Sequence, residues 1–299
     1  MIERSNYLYK TCLIGIGIAG FIYIVHLLSP PPGYIGLEQQ KIPLQSEPLD
    51  IAYVEENLHA LDQKDPQLIQ YTRVRYLSPP SKLPYNFEGA GNYKDEFSAW
   101  VADFFKNKKN GIFIEAGAHE GEKGSHTLYL EKELGWTGLL VECNPTVVPI
   151  LKTHHRKAWV ADVCLAPSTT PGLLNFSNPT NWTYSGTFKK PWNLPVPTKW
   201  TFFDVETLPF YTLLAALGWT EIDYFSFDIE GIELSVLKTF PFDLIKFKVL
   251  IIETMFYTEE EKKELDTLLT SNDYQFVKNM QVDKIYIHKS VSHMLGSLG

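Results

Sequence analysis

Cysteine and basic residues are both scarce in this chain of 299 residues. There are three cysteines and no Cys-x-x-Cys pair, so no cysteine-based zinc site is indicated. Lysine and arginine together number 27 against 35 aspartates and glutamates, which gives a net charge of -8. The only clustered basic run, residues 106–110, is short. These shortages argue against a protein that binds nucleic acid through its phosphate backbone.

Charged residues are absent from residues 11–28, an apolar run just long enough to cross a bilayer as a helix. Arg4 and Lys10 precede the run, whereas no basic residue follows it before Lys41. The positive-inside rule therefore predicts a single-pass type II membrane protein, with residues 1–10 as a cytoplasmic tail and the C-terminal domain in the lumen. A cleaved signal peptide is the alternative, which the length of the run and the lack of a small-residue cleavage site disfavour.

The rest of the chain divides into three segments. Residues 29–64 begin with a proline-rich stretch, which predicts a stem between the membrane and the domain. Residues 65–110 have helical spacing and form a helical lead-in. Strands and helices then alternate over residues 111–290, interrupted by a longer irregular stretch at 167–197. This alternation predicts an α/β domain with a mostly parallel sheet and helices on both faces.

Acidic residues and glycines meet where the predicted strands end. Glu115, Gly117 and Gly121 close the first strand, and Glu142 closes the second about 20 residues after the glycine loop. Glycines let a backbone turn tightly and approach a ligand, and an acid at this spacing can accept both hydroxyls of a ribose. No Gly-x-Gly-x-x-Gly motif is present, so the pattern favours a nucleoside without phosphates, of which S-adenosylmethionine is the common one. Glu115 would then hold or neutralise its cationic end, directly or through water.

A third acidic group follows a later strand in the stretch FSFDIEGIE. Unpaired acids are rare inside strands, so Asp228 and Glu230 are predicted to face a cleft as site residues. Glu233 is better explained as a charge that stabilises the following helix N-terminus. His119 and His126 flank the glycine loop, but no matching carboxylate spacing accompanies them. No metal site is therefore predicted.

Two further features bear on the compartment. Cys143 and Cys164 follow neighbouring predicted strands, and in an oxidising lumen they could form a disulfide. Two small buried thiols are an equally good interpretation, since a disulfide needs a Cα separation below about 7 Å. Asn175 and Asn181 begin N-glycosylation sequons, which fit a lumenal domain.

The sequence resembles the FkbM-type methyltransferase family, in particular its invertebrate Star-like branch. The matching stretches keep the family order over roughly residues 65–288, and they include FIEAGAHEGEKGSHTLYLEKELGWTGLLVECNP and TLLAALGWTEIDYFSFDIEGIELSVLK. The resemblance implies a class I methyltransferase sheet whose last two strands form an antiparallel hairpin. It implies an acidic pocket at Asp228 and Glu230. The expected contacts to S-adenosylmethionine are Glu115, Gly117, His119, Gly121, Glu142 and Asn144.

Two functions follow from the resemblance. The first is O-methyl transfer from S-adenosylmethionine to a glycan or small-molecule hydroxyl, in which Asp228 or Glu230 accepts the hydroxyl proton. The second is Star-like binding of secretory or membrane-tethered cargo, without catalysis, in transport from endoplasmic reticulum to Golgi and through endosomes. Binding of the cofactor distinguishes the two, because a cargo adaptor does not need it.

Overall fold

The computed structural model describes residues 48–89, 91, 93–179 and 200–297. The apolar run at residues 11–28, the predicted tail at 1–10 and Asn181 lie outside these residues. Among the helices that are described, none is both long enough and apolar enough to cross a membrane. The expected fold is corrected in this respect, because the transmembrane helix forms no part of the fold that the structure describes.

The described residues form eleven strands in two sheets. In chain order the strands are β1 (Leu77–Ser78), β2 (Ile112–Ala116), β3 (Thr137–Glu142), β4 (Trp159–Asp162), β5 (Cys164–Leu165), β6 (Gly172–Pro179), β7 (Trp200–Leu208), β8 (Glu221–Phe227), β9 (Lys246–Glu253), β10 (Tyr274–Met280) and β11 (Asp283–His288). The helices are α1 (Ile51–Asn57), α2 (Pro66–Arg75), α3 (Glu96–Phe104), α4 (Leu128–Leu134), α5 (Val148–Thr153), α6 (Phe210–Leu217), α7 (Glu233–Lys238) and α8 (Glu259–Ser271), with 3-10 turns at Leu58–Ala60 and Lys289–Ser297.

The larger sheet has the strand order β1-β4-β3-β2-β8-β9-β11-β10. Its five central strands, from β4 to β9, run parallel, while β1 at one edge and the β10–β11 hairpin at the other run antiparallel. The hairpin lies where the sequence placed it. The α/β class and the class I methyltransferase-like sheet are therefore confirmed.

Both faces of the larger sheet are buried. Along β2, Ile112, Ile114 and Ala116 pack into one apolar cluster, and Phe113 packs into the cluster on the opposite face. This alternation follows from the two-residue period of a strand, and an apolar residue at nearly every position is typical of a parallel sheet covered on both sides. Helices between the parallel strands supply the covering layers. Because β2, β3 and β8 run parallel, their carboxyl ends meet at one edge of the sheet.

The folded region begins within the segment assigned to the stem. Val54 of α1 is fully buried in the core, and N of Gln63 donates to O of Thr169 at 2.6 Å. The hydroxyl of Thr212 in α6 donates to O of Gln63 at 2.9 Å. Residues 51–63 are thus attached to the domain by packing and by hydrogen bonds.

The smaller sheet corrects the prediction of an irregular stretch at 167–197. Residues 172–179 form β6, which pairs antiparallel with β7, and β5 pairs parallel with β7 on its other side. Phe176 is buried whereas Leu173 and Asn175 are exposed, which is the alternation of a strand with one face covered. The remainder of the stretch, residues 180–197, lies outside the described residues.

Cys143 and Cys164 form a disulfide, with a Cα–Cα distance of 4.8 Å. The bond joins the residue that follows β3 to the first residue of β5, 21 positions later. The sequence left this pairing open, because it depends on how the two strand ends pack in three dimensions.

Replacing both cysteines by serine is expected to lower the free energy of unfolding by about 3 kcal/mol. The bond closes a loop of about 20 residues, and in the chain-entropy description an open loop of that length adds this much freedom to the unfolded state. Urea denaturation of the oxidised protein and the double variant measures the difference. Equal stability of the two proteins would contradict the assignment.

Candidate functional site

A cavity of about 280 Å³ lies at the carboxyl edge of the parallel strands. The glycines and polar side chains that line it are Gly117, His119, Lys123, Gly124, Glu142, Asp228 and Glu230. The apolar side chains that line it are Val141, Val163, Leu165, Phe176, Ile229 and Ile232, together with the disulfide. The rule that ligands bind beyond the carboxyl ends of parallel strands therefore selects this cavity as the candidate site.

Gly117 brings two strand ends into direct contact. It follows β2 with φ at +83°, and N of Gly117 and N of Ala118 both donate to O of Val141 at 3.0 Å. A Cβ atom at this position would overlap O of Asp228, which follows β8. Only glycine combines a left-handed backbone with this close approach. The loop therefore forms the wall between Glu142 and Asp228.

Glu142 is held at the end of β3 by three backbone N–H groups. Its Oε1 accepts from N of Cys143 at 2.8 Å and N of Asn144 at 2.7 Å, and its Oε2 accepts from N of His119 at 2.8 Å. Burial raises the pKa of Glu142, and the three N–H donors oppose that rise. A carboxylate has about four acceptor positions, so Oε2 still has one for a ligand hydroxyl.

Glu115 does not line the cavity, contrary to its predicted role as a direct cofactor contact. Its buried carboxylate accepts from the hydroxyls of Ser125 (2.8 Å) and Thr127 (2.5 Å) and from N of His126 (2.7 Å). It fixes residues 125–127, which lead into α4. These contacts are internal to the domain, and an interaction with the cationic end of a ligand through water stays a prediction.

Gly121 and Asn144 also stand behind the cavity wall. N of Gly121 donates to O of Ala118 at 2.9 Å, and its φ is +74°. Oδ1 of Asn144 accepts from N and the hydroxyl of Thr146 at 3.0 and 2.7 Å, while its buried Nδ2 has no hydrogen-bond partner. Both residues shape the loops that carry His119 and Glu142. Of the predicted cofactor contacts, the cavity thus contains Gly117, His119 and Glu142.

One end of the cavity is strongly acidic. Asp228 and Glu230 line it, and Glu233 and Glu253 lie buried behind them. Burial raises the pKa of Glu230 to about 8 and that of Glu233 to about 7, and neighbouring carboxylates add to both shifts. Burial likewise raises the pKa of Glu253 to about 11, with Asp228 as its main charged neighbour. This end is suited to a cation.

Sequence reasoning missed Glu253, and it placed Glu233 correctly at a helix N-terminus without indicating that the side chain is buried. Glu253 is the last residue of β9, the parallel neighbour of β8, so the strand-end rule that selected Glu142 would also have selected it. Glu233 is the first residue of α7 and is fully buried. Its Oε1 accepts from N of Ile229 and N of Gly231 at 2.8 and 3.0 Å, so it shapes the loop that carries Glu230.

His126 and Asp95 form a pair next to the acidic end. Nδ1 of His126 is hydrogen-bonded to Oδ2 of Asp95, whose Oδ1 also accepts from N of Ser98 at the start of α3. Burial alone would lower the pKa of His126, but Asp95, Glu115 and Asp228 together raise it. Burial alone would raise the pKa of Asp95, but the bonds from His126 and Ser98 lower it. Both side chains are mostly shielded from solvent.

The His126–Asp95 pair is expected to stabilise the protein in acid and to lose its effect in alkali. A histidine whose pKa is raised on folding stabilises fully below its unfolded value of 6.5 and loses that effect as pH rises through the folded value. Asp95→Asn should therefore cost about 1–2 kcal/mol at about pH 5.5 and clearly less at about pH 9.5. Urea unfolding at both values measures this. Ser98→Ala, which removes the hydroxyl half of the capping box but leaves His126 paired with Asp95, should cost the same at both. A pH-independent loss in Asp95→Asn contradicts the pairing.

Comparison with known proteins agrees with the architecture. The family model described as "Methyltransferase FkbM domain" matches residues 115–276, which include the cavity. No curated protein gives a significant match. The match extends to the domain and does not distinguish a Star-like branch.

Several solved methyltransferase structures are similar at low identity. Precorrin-6y C5,15-methyltransferase from Geobacter metallireducens GS-15 is 11% identical over 69% of this chain and 94% of its own, with a TM-score of 0.36. The METTL16 methyltransferase domain is 14% identical over 82% of this chain and 94% of its own, with a TM-score of 0.39. Aeropyrum pernix fibrillarin, solved with natively bound S-adenosyl-L-methionine, is 12% identical over 71% and 86%, with a TM-score of 0.37. These values support no argument about ligands or substrates.

Proposed function

Because the chain belongs to the FkbM methyltransferase family, we propose that its strand-end cavity binds S-adenosylmethionine and transfers the methyl group to a hydroxyl oxygen. The family confirms the cofactor, and the residues that hold it are our proposal. The observation that carries the proposal is the cavity itself, in which Glu142 and the Gly117 loop face Asp228 and Glu230.

The residues that line the cavity fit this cofactor. Glu142 is rigid and retains an acceptor position for a ribose hydroxyl. Val163, Leu165 and Phe176 offer an apolar surface to the adenine ring. The acidic end provides negative charge for the amino and sulfonium groups. Gly117 lets the loop after β2 approach Asp228 closely.

S-adenosylmethionine, when bound, supplies an electrophilic methyl group. The domain then has to position a hydroxyl acceptor and receive its proton. Asp228 and Glu230 are the candidates, because both line the cavity. A pKa near 8 for Glu230 suits a base that exchanges protons near neutral pH. The acceptor is a glycan or small molecule bearing a hydroxyl.

We further propose that the domain works in an oxidising compartment of the secretory pathway. The Cys143–Cys164 disulfide supports this, because such bonds are rare in reducing compartments. Asn175 is exposed on β6 and begins a sequon, which makes it accessible to glycosylation. Enzymatic deglycosylation of the protein from a secretory host, with Asn175→Gln as the matched variant, tests this. A mass that is the same with and without treatment would contradict glycosylation.

The second candidate is the Star-like, non-catalytic cargo-binding protein. Two exposed apolar side chains on the smaller sheet favour it: Leu173 and Phe202 are 58% and 64% exposed, on the face of the β6–β7 pair that also carries Asn175, Asp204 and Glu206. Exposed apolar residues that lie on one face are suited to a protein partner. In this candidate the cavity would not turn over a cofactor.

Thermal melting of the full chain with S-adenosylmethionine distinguishes the two candidates. A ligand at 100 times its dissociation constant adds about 2.7 kcal/mol to stability, so the melting temperature should rise. Glu142→Ala should abolish the rise. Asp162→Ala is the matched control, since Asp162 ends β4 beside Glu142 in register but does not line the cavity, and it should keep the rise. No rise at millimolar cofactor would reject the enzyme and favour the cargo-binding protein.

A further inference from the structure

Three carboxylates converge at the acidic end of the cavity. One oxygen each from Asp228, Glu233 and Glu253 lies within 4.8 Å of the other two. Glu233 is fully buried, Glu253 is 8% exposed, and Asp228 lines the cavity. They come from three elements: the end of β8, the start of α7 and the end of β9. The fold therefore assembles this group from distant parts of the chain.

Among the described residues, Glu253 has a buried oxygen with nothing to bind: its Oε2 is inaccessible and lacks a hydrogen-bond partner. Oε2 of Glu233 is likewise buried with no close hydrogen bond. The hydroxyl of Tyr257, which accepts from N of Leu234 at 2.6 Å, is the donor that faces Glu233. An unpartnered buried carboxylate oxygen is costly, because it has lost water and gained no donor. The arrangement therefore calls for a positive charge among the three side chains.

Within the part of the chain that the structure describes, no side chain pairs a positive charge with the three carboxylates; Lys123, which also lines the cavity, pairs with Glu88 and Glu120 instead. No ion pair that the structure describes includes Asp228, Glu233 or Glu253. His126 is the cationic neighbour of Asp228, and it is already bonded to Asp95. Glu230 and Asp283 add further negative charge nearby. A small cation bound from solution would neutralise the group.

We propose that Asp228, Glu233 and Glu253 bind one hard divalent cation, of the class of Mg²⁺, Mn²⁺ and Ca²⁺. Carboxylate oxygens are the ligands that these ions prefer, whereas zinc and copper sites favour nitrogen and sulfur. Three protein ligands leave coordination positions of the ion open. Because Asp228 lines the cavity, these positions can be reached from it. Neither a sequence motif nor a histidine marks the site, which explains why the sequence predicted no metal.

The cation also gives the site a chemical role, and this part rests on the proposed function. A divalent cation that coordinates the acceptor hydroxyl lowers the pKa of that hydroxyl and fixes its position. With Asp228 bound to the cation, Glu230 is the carboxylate left to receive the proton. The binding of the cation itself does not depend on methyl transfer.

A shared proton is the physical alternative to a cation. Asp228 and Glu253 are close enough to hydrogen-bond to each other, which requires one of them to be protonated. In that arrangement the group would be electrically satisfied without metal. A direct metal titration separates the two.

The test is a Mn²⁺ titration of the chelator-treated full chain, followed by electron paramagnetic resonance and without S-adenosylmethionine. One saturable site is expected, from which Mg²⁺ and Ca²⁺ displace Mn²⁺. Glu253→Gln and Glu233→Gln should each weaken binding at least tenfold. Asp283→Asn is the matched control: Asp283 faces Glu253 across β11 and β9 but is not one of the three, so binding should stay within a few-fold.

Melting in chelator shows whether each variant folds. No saturable Mn²⁺ binding by the folded wild-type chain would overturn the proposal and favour the shared proton. Equal binding by Glu253→Gln and wild type would also overturn it, and would place the ion elsewhere. Because no cofactor is present, failure of the metal proposal and failure of S-adenosylmethionine binding are separate results.

Discussion

Gly117→Ala is expected to lower the free energy of unfolding by about 4 kcal/mol or more and to abolish cofactor binding. The added Cβ would overlap O of Asp228, and both atoms belong to backbone segments fixed by strands. N of Asp228 donates to O of Ala116 at 3.1 Å, so the two strand ends cannot move apart without losing this bond. The positive φ at Gly117 adds about 1–2 kcal/mol for any residue with a side chain.

Gly124→Ala is the control for Gly117→Ala. Gly124 also lines the cavity with φ at +75°, but nothing lies within 4 Å of its added Cβ. It should therefore show the left-handed cost alone, about 1–2 kcal/mol. Urea denaturation gives the stabilities and calorimetry gives the cofactor affinities. Equal losses in the two variants would show that the approach of the strand ends is not critical.

Arg156→Met is expected to cost about 3–5 kcal/mol of stability. Arg156 and Glu131 form an ion pair at 3.0 Å, and both side chains are completely inaccessible to solvent. Arg156 also donates to O of Gly121 at 2.5 Å and to the hydroxyls of Ser125 and Thr127 at 3.2 and 3.0 Å. Its loss leaves the carboxylate of Glu131 buried without its cation. It also removes hydrogen bonds from Ser125 and Thr127, the two hydroxyls that Glu115 binds.

A surface pair and a double variant make the Arg156 result interpretable. Lys238 and Glu264 pair at 2.7 Å but are about half exposed, so Lys238→Ala should cost no more than about 1 kcal/mol. Adding Glu131→Gln to Arg156→Met removes the orphaned charge and should recover part of the loss. Chemical denaturation measures all three. An Arg156→Met cost as small as that of Lys238→Ala would contradict the account.

The sequence predicted best where a rule ties position to the edge of a sheet. Glu142, Asp228 and Gly117 were expected at the carboxyl ends of parallel strands, and the structure places all three around one cavity. The Thr-x-x-Glu pattern from Thr258 to Glu261 likewise forms the capping box of α8. The helix cap follows from a local sequence pattern, and the strand-end residues follow from a local pattern together with the rule for parallel sheets, so a single sequence is enough to predict them.

Prediction failed where the outcome depended on direction or on distant packing. Glu115 lies within a strand, and its side chain points away from the cavity to the hydroxyls of residues 125–127, which alternation alone does not reveal. Glu253 is the exception, since the strand-end rule that selected Glu142 also selects it. The pairing of β6 with β7 joins segments on either side of residues 180–199, so no local pattern indicated β6. The disulfide between Cys143 and Cys164 could not be predicted, because it depends on how the ends of two strands pack against each other.

The measurement that tests the central claim most directly is a calorimetric titration of the full chain with S-adenosylmethionine, in parallel with Glu142→Ala and Asp162→Ala. The account predicts one binding site per chain, lost in Glu142→Ala and kept in Asp162→Ala. It also predicts weaker binding of S-adenosylhomocysteine, which lacks the sulfonium charge that the acidic end favours. Undetectable binding to the folded wild-type chain, or equal binding to Glu142→Ala, would contradict the claim that this cavity is a working cofactor site.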